Sequence, residues 1–241
     1  MKSLVVIPTL NEEAGISEVL SQLRSLPSPP DVVVVDDSSD DNTQSLVKEF
    51  SQRDSGVHLI ARKGQKSFAK SYIEGFKYAL KNGYEAVVCM DADLSHNPQD
   101  VPRLLAALEN ADIVIGSRYV KARATVENWP LRRKILSRIS SMYVRAITGL
   151  PLTDPMAGFK AFRAEALARL NFDAIVSSGF AFQTESVYRL FRLGARLGEI
   201  SIVFTDRTKG KSKMSLQRIT EAMVLPFKLR SYVKHDEGTK G

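Results

Sequence analysis

Two carboxylates one residue apart, Asp91 and Asp93, close the apolar run in EAVVCMDADLSHNP, the segment from Glu85 to Pro98. A pair of this kind ordinarily belongs to a turn or caps a helix. Here Asn97 is already placed as a cap with Pro98 at the first helical position, which leaves both aspartates for other work. Like charges side by side at a strand's end repel, and a divalent cation removes that cost. Mg2+ or Mn2+ is typically held by one or two carboxylates, with substrate phosphate oxygens and waters completing the shell. A second acidic group follows another apolar run in VVVVDDSSDDN. Some of its members serve turn and capping roles. Asp37, ahead of Asp36, is the candidate to accept hydrogen bonds from a nucleobase N–H or a ribose hydroxyl. Cations are clustered too. Arg118, Lys121, Arg123, Arg132, Arg133, Lys134 and Arg138 stand against the single acid Glu127, and Arg207, Lys209, Lys211 and Lys213 form a second group.

The elements that must position these groups are legible in the periodicity. The runs SLVVIP, DVVVVDD, VHLIA, EAVVCMDAD and ADIVIGSRY alternate with amphipathic stretches through the first half of the chain. Continuous apolar strands separated by helices imply right-handed crossovers and a mostly parallel sheet covered on both faces, a doubly wound, Rossmann-like α/β fold. Ligands of such sheets bind outside the carboxyl ends of the strands. The polar groups at Thr9–Glu12, Asp36–Asp41, Arg62–Lys66 and Asp91–His96 would all fall on that rim. After about residue 117 the alternation breaks. LRRKILSRISSMYVRAI and AFQTESVYRLFRLG read as helices, GLPLTDPMAGFKAF as a turn-rich entry to a short strand, RLGEISIVFTDR as strand, and SLQRITEAMVLPFKLRSYV as a helix with Lys and Arg among its apolar positions.

The chain of 241 residues, 44% hydrophobic and 25% charged, can bury a sizeable core. Its one cysteine, Cys89, lies inside an apolar run, which excludes a disulfide framework or a cysteine metal site and reads as core. The net charge of +7 favours an anionic partner. The basic segments lack the stacking pattern of single-strand readers and any helix-turn-helix signal, so no nucleic acid is expected. No segment has the regions of a signal peptide and no apolar run is long enough to cross a bilayer, so the sequence reads as soluble or attached to a membrane surface.

VVIPTLNEE, VVVVDDSSDDNT and VVCMDADLSHNP together resemble the three opening motifs of the inverting GT-A glycosyltransferases of family 2. IGSRYV, WPLRRKILSR, DPMAGFKAFR, GFAFQTE and RTKGKSKM narrow the resemblance to polyprenol-phosphate (dolichol-phosphate) mannose synthases, over Leu4 to about Met214. The resemblance implies a GT-A domain over residues 1–233, with a nucleotide-sugar-binding half to residue 117, an acceptor half with acceptor-side helices from 118, and a flexible tail over 234–241. It implies transfer of mannose from GDP-mannose to a polyprenyl or dolichyl phosphate. Pro8, Leu10, Asn11, Glu12 and Asp37 would surround the nucleoside, and Asp91 and Asp93 would hold Mg2+ or Mn2+ on the diphosphate. Some relatives carry a metal-binding Gln where this chain has Ser95, and Ser67 and Ala69 replace a glycine-rich turn.

A lipid monophosphate acceptor, with a second pKa of about 6, is largely dianionic near neutral pH, so no general base is required. The site must instead supply cations that overcome repulsion between acceptor phosphate and donor diphosphate. Arg118 and Arg132 are expected on the acceptor phosphate, with Ser212 beside them, and Arg207 and Lys213 on phosphate charge in a closing loop, with Lys211 secondary. Several residues keep two readings: Asp154 as turn or site residue, Gln183 and Glu185 as buried support or sugar contact, His96 as metal ligand or loop histidine, and Trp129 as lipid contact or packing. A bilayer-resident acceptor also implies a cytoplasmic protein at the membrane face. It would be held there by a membrane-anchoring partner or by basic amphipathic helices around Leu131–Ile147 and Leu216–Val233. Competing readings are a UDP-glucose-dependent transferase with the same acceptor class and a non-catalytic nucleotide-binding or membrane-docking module.

Overall fold

The computed structural model describes residues 1–120, 125–127, 129–205 and 224–230. The apolar runs become strands and the amphipathic stretches helices in the expected order: β1 (Ser3–Thr9), α1 (Ile16–Arg24), β2 (Asp31–Asp36), α2 (Thr43–Arg53), β3 (Val57–Ala61), α3 (Phe68–Lys81), β4 (Ala86–Cys89), α4 (Val101–Ala107) and β5 (Ile113–Ser117). Then follow β6 (Thr125–Glu127), α5 (Leu131–Thr148), β7 (Lys160–Arg163), the short α6 (Ala164–Leu167), α7 (Phe182–Arg192), β8 (Leu197–Ser201) and β9 (Val203–Thr205). Residues 224–230 are helical; the remainder of the helix expected over 216–233, and the tail over 234–241, lie outside the described residues.

The main sheet has seven strands in the order β3-β2-β1-β4-β7-β5-β8, all parallel except β7, which runs antiparallel between β4 and β5. Successive residues of β1 serve opposite faces: Leu4 and Val6 pack with Tyr72 and Phe76 of α3, while Val5 and Ile7 pack with Ile16, Val19 and Leu23 of α1. Cys89 lies in the first of these cores, where burial pushes its thiol far above the usual range, so it is inert packing. Asn97 accepts a 3.0 Å hydrogen bond from the Gln99 N–H and opens a 3-10 turn with Pro98 at its start, which leads into α4. The expected cap is there, with a tighter first turn before the helix.

Strand order turns around between β1 and β4, and this reversal makes the crevice. β1 pairs with β2 as far as Thr9↔Asp36 but with β4 only as far as Val6↔Cys89, after which the Met90 N–H still reaches the Val6 carbonyl at 3.2 Å. Beyond that bond the two strands part. Pro8 lies two residues further along β1 and so faces the same way as Val6, into the opening, where a strand has no neighbour to receive the N–H that proline lacks. A proline inside a central strand is therefore tolerated because the sheet splits there to form its site.

Candidate active site

Asp91 and Asp93 stand at the mouth of that split. The turn that carries them places Leu94 in the left-handed region, at φ 62°, and Asp93 Oδ1 accepts from both the N–H (3.0 Å) and the hydroxyl (2.6 Å) of Ser95. Ser95 thus orients the second carboxylate. Asp93 is buried, while the Asp91 side chain retains 25% exposure. His96 is tied into the loop: its Nδ1 accepts the Asp91 N–H at 3.1 Å and its ring stacks on Phe159 at 4.8 Å between centroids. Accepting at Nδ1 puts the proton of the neutral ring on Nε2. Among the described residues no cluster of three or more His, Cys, Asp or Glu side chains suits a metal. Two hard carboxylates fit a cation that takes its remaining ligands from phosphate and water.

The loops after β1 and β2 interlock. Asp36 is fully buried and accepts from the Thr9 hydroxyl (2.9 Å), the Ser39 N–H (2.9 Å) and hydroxyl (2.5 Å), and the Gln44 amide (2.6 Å). It is a structural hub. Asn11, at φ 55°, accepts the Asp40 N–H at 2.8 Å and donates its own N–H to Ser39, while the Glu12 N–H donates to the Thr43 hydroxyl at 2.9 Å. Leu10 sits half-buried between them. Asp37, the expected nucleoside reader, forms an ion pair with Arg62 and accepts the Ser67 N–H at 2.5 Å. Burial pushes its carboxyl up, against the opposing pull of Ser67 and Arg62. Arg62 is a rim residue whose partnership across the sheet leaves no local signature in the sequence.

On the far side of the crevice the loop after β5 presents Arg118. Its Nε and Nη2 grip the fully buried Asp154 at 2.7 and 2.8 Å, and its backbone N–H reaches the same carboxylate at 3.1 Å. Burial pulls this guanidinium down, but Asp154 outweighs it and holds the pKa above the usual arginine value. Tyr119, Trp129 and Phe204 surround the cation at 5.3, 5.8 and 5.6 Å from their ring centroids. Asp154 is thereby the buried anchor of Arg118. A second arginine, Arg133, lies 3.9 Å over the Trp129 ring from the exposed first turn of α5, where Arg132 is exposed as well. Trp129 packs in the cage. Arg207, Lys211, Ser212 and Lys213 lie outside the described residues.

One loop joins the two sides. Asp154 begins it, its N–H and that of Thr153 held by the Glu199 carboxylate at 2.8 to 3.0 Å. Gly158 then passes against the carboxylate turn: a Cβ added there would meet His96 Cε1 at 3.4 Å, Asp91 Oδ2 at 3.6 Å and Gln183 Nε2 at 3.9 Å. Phe204 closes the gap, its ring 5.5 Å from that of His96 and 5.6 Å from the Arg118 cation. Glu185, next to Gln183 on α7, is buried support: its carboxylate accepts from the N–H groups of Val176 (3.1 Å) and Ser177 (2.9 Å) and from Arg189 (2.8 Å).

α5 is oriented unlike an ordinary surface helix. Ser141, Val144 and Thr148 face the protein, while Leu131, Ile135, Leu136, Ile139 and Met142 are exposed, Leu131 to 71%. Basic residues accompany that outward stripe, and the first turn carries Arg132, Arg133 and Lys134 with no acid. No described helix is long and apolar enough to cross a membrane.

The sheet order, the split at β1/β4 and the carboxylate pair define a GT-A, Rossmann-like sugar-nucleotide transferase fold. Residues 4–170 match the model of glycosyl transferase family 2, and the chain belongs to that family. It is 43% identical over 224 residues to the undecaprenyl-phosphate mannosyltransferase of Micrococcus luteus, covering 93% of this chain and 92% of that one. To the polyprenol monophosphomannose synthase of Mycolicibacterium smegmatis it is 38% identical over 224 residues, 92% and 84% of the two chains. The glucosyl-3-phosphoglycerate synthase of Mycobacterium tuberculosis, crystallised with Mn2+, UDP and phosphoglyceric acid, shares the fold at a TM-score of 0.69 and 18% identity, over 95% of this chain and 76% of that one.

Proposed function

We propose that this chain transfers mannose from GDP-mannose to a polyprenyl phosphate, inverting the anomeric carbon to give polyprenyl phosphate β-mannose and GDP. The observation that carries this reading is the juxtaposition of a carboxylate pair at the β1/β4 split with an arginine held in an aromatic cage across the same crevice. The relatives' names support the transferred sugar, mannose, and the acceptor class, a polyprenyl phosphate. Pro8, Leu10, Asn11, Glu12 and Asp37 line the nucleoside end, and Asp91 and Asp93 hold Mg2+ or Mn2+, which neutralises charge on the leaving diphosphate when bound. Arg118 and Arg132, joined by Arg133, draw the acceptor phosphate toward the sugar. Arg207 and Lys213 complete the cationic set, and the Ser212 hydroxyl joins Arg118 and Arg132 on the acceptor phosphate.

The chemistry asks little of the protein in proton transfer. An acceptor phosphate oxygen, already ionised, bonds to C1 as the bond from C1 to the diphosphate oxygen breaks, and the electron pair leaves with GDP. What the chain contributes is position and charge. Residues 1–117 form the donor half and 118–233 the acceptor half. The exposed stripe of α5, ringed by cations, lies on the cytoplasmic face of the membrane where the lipid acceptor resides, directly or beside an anchoring partner. Incubation of the chain and Mn2+ with a short polyprenyl phosphate and either GDP-mannose or UDP-glucose tests this. A mannolipid from GDP-mannose alone is expected, and a glucolipid without a mannolipid overturns the donor assignment.

A further inference from the structure

The crevice contains a side chain whose backbone is clamped while its polar end is not. Gln183 lies in the first turn of α7 and is only 3% exposed. Its carbonyl accepts the Lys160 ammonium and, at 3.5 Å, the Ser186 hydroxyl. Its side-chain Nε2, however, has no hydrogen-bond partner among the described residues, and neither has the Tyr72 hydroxyl beside it. The Gln183 amide stands near enough to favour the Tyr72 phenolate without reaching hydrogen-bond geometry. Burial above all, and then the charge of Asp91 with that of Asp93 further off, raises the Tyr72 pKa well above the usual range, so the hydroxyl stays protonated.

Buried amides are rarely left unpaired, because desolvating them without a partner costs as much as losing a hydrogen bond. The direction of this one is given by Gly158: Gln183 Nε2, Asp91 Oδ2 and His96 Cε1 all lie within 4 Å of the point its Cβ would occupy. Gly158 has an ordinary backbone conformation, so no turn demands glycine there. What glycine provides is room between the carboxylate and the amide. A sugar whose diphosphate sits at Asp91 and Asp93 would occupy that room. A neutral carboxamide both donates and accepts, so it pairs with a hydroxyl while adding no charge near the reacting carbon.

We propose that Gln183 reads the donor sugar: its carboxamide hydrogen-bonds a ring hydroxyl of the transferred hexose in the space that Gly158 leaves open, with the Tyr72 hydroxyl as its neighbour. This deepens the proposed function and rests on it for the identity of the sugar, but not for the existence of the contact. A site built to bond a hydroxyl discriminates strongly against a donor that lacks it, because its own buried group is then left unpaired.

The test is calorimetric binding, with Mn2+, of GDP, UDP, GDP-mannose, its monodeoxy analogues and UDP-glucose to the wild type, Gln183→Leu and Gly158→Ala. The wild type should bind one nucleotide sugar more tightly than the matching free nucleotide. Gln183→Leu should reduce that sugar-dependent gain by about 10- to 100-fold and leave the free nucleotide unaffected. The penalty should vanish for the one deoxy donor that lacks the hydroxyl being read. Gly158→Ala, whose methyl meets its neighbours at ordinary contact distances, should fold normally and weaken the same gain. It thus serves as the test should Gln183→Leu fail to fold. Equal penalties across every deoxy donor, or a gain untouched by either substitution, would mean that Gln183 only supports the Tyr72 wall, and would overturn the inference. A gain with UDP-glucose that is absent with GDP-mannose, and is lost in Gln183→Leu, would keep the inference and overturn the donor assignment.

Discussion

The two sides of the crevice are built on opposite plans. On the donor side the carboxylates are held by networks of short polar contacts: Asp36 by Thr9, Ser39 and Gln44, Asp37 by Arg62 and Ser67, Asp93 by Ser95. On the acceptor side Arg118 is fixed by one buried ion pair and by aromatic faces, and beyond it α5 turns its apolar stripe outward. A rigid, self-satisfied rim suits a soluble, polar donor whose phosphates and hydroxyls need preorganised partners. An outward apolar stripe beside cations suits a substrate that arrives from another phase. The difference separates what must be exact within the protein from what must be shared with a surface.

If that contrast is right, the largest loss comes from the donor side. Asp93→Ala should lower turnover by about a thousandfold, the scale of removing one principal electrostatic contact in a transition state, with a melting temperature close to that of the wild type. Turnover within tenfold of wild type would break the assignment. Next is Asp154→Ala on the acceptor side, which leaves the buried Arg118 cation uncompensated. Denaturant unfolding should show a destabilisation of about 3 kcal/mol, and the KM for lipid phosphate should rise more than that for nucleotide sugar. A pure stability loss with unchanged KM values would make the cage structural only. Ile139→Asp, in the exposed stripe, should weaken cosedimentation with anionic vesicles by about tenfold and leave the hydrolysis of nucleotide sugar and thermal stability as they were. Unaltered cosedimentation would move the membrane contact elsewhere.

A further effect is one of pH. Lys160 is wholly buried under α7, and burial pulls its ammonium down to about 7, with Asp154 opposing. Between that value and the lysine's ordinary one the unfolded chain binds the extra proton, so this group makes stability rise with pH across the window and adds no slope below it. Lys160→Met should remove a slope of at most about 1.4 kcal/mol per pH unit from the wild-type profile above pH 7. Superimposable slopes for the two proteins would contradict it.

Much of this could be read from the chain beforehand. The strands and helices of the first half were legible because each apolar run and each amphipathic turn carries its own periodicity, and the Asn97-Pro98 cap because its chemistry is local. The pairing of the antiparallel β7 between β4 and β5 was not legible, since that register is set by partners more than fifty residues away along the chain on one side. The same limit governs the site. Asp91 and Asp93 announce themselves by spacing, but nothing local distinguishes the hub Asp36 from its neighbour Asp37, or Arg133, which lies over the Trp129 ring, from Arg132 beside it. The two readings of Gln183 and Glu185 could be separated only by seeing which carboxyl or amide already had partners.

The central claim is that paired aspartates and a cation stabilise the departing diphosphate while caged arginines deliver an already ionised acceptor. Transfer of radiolabelled mannose from GDP-mannose to a short polyprenyl phosphate, followed with Mn2+ and with excess chelator across pH 6 to 9, tests it most directly. The account predicts a β-linked mannolipid formed only with the divalent ion, at a rate that levels off once the acceptor's second ionisation at about pH 6 is complete. Undiminished transfer in chelator, or an α-linked product, would contradict it.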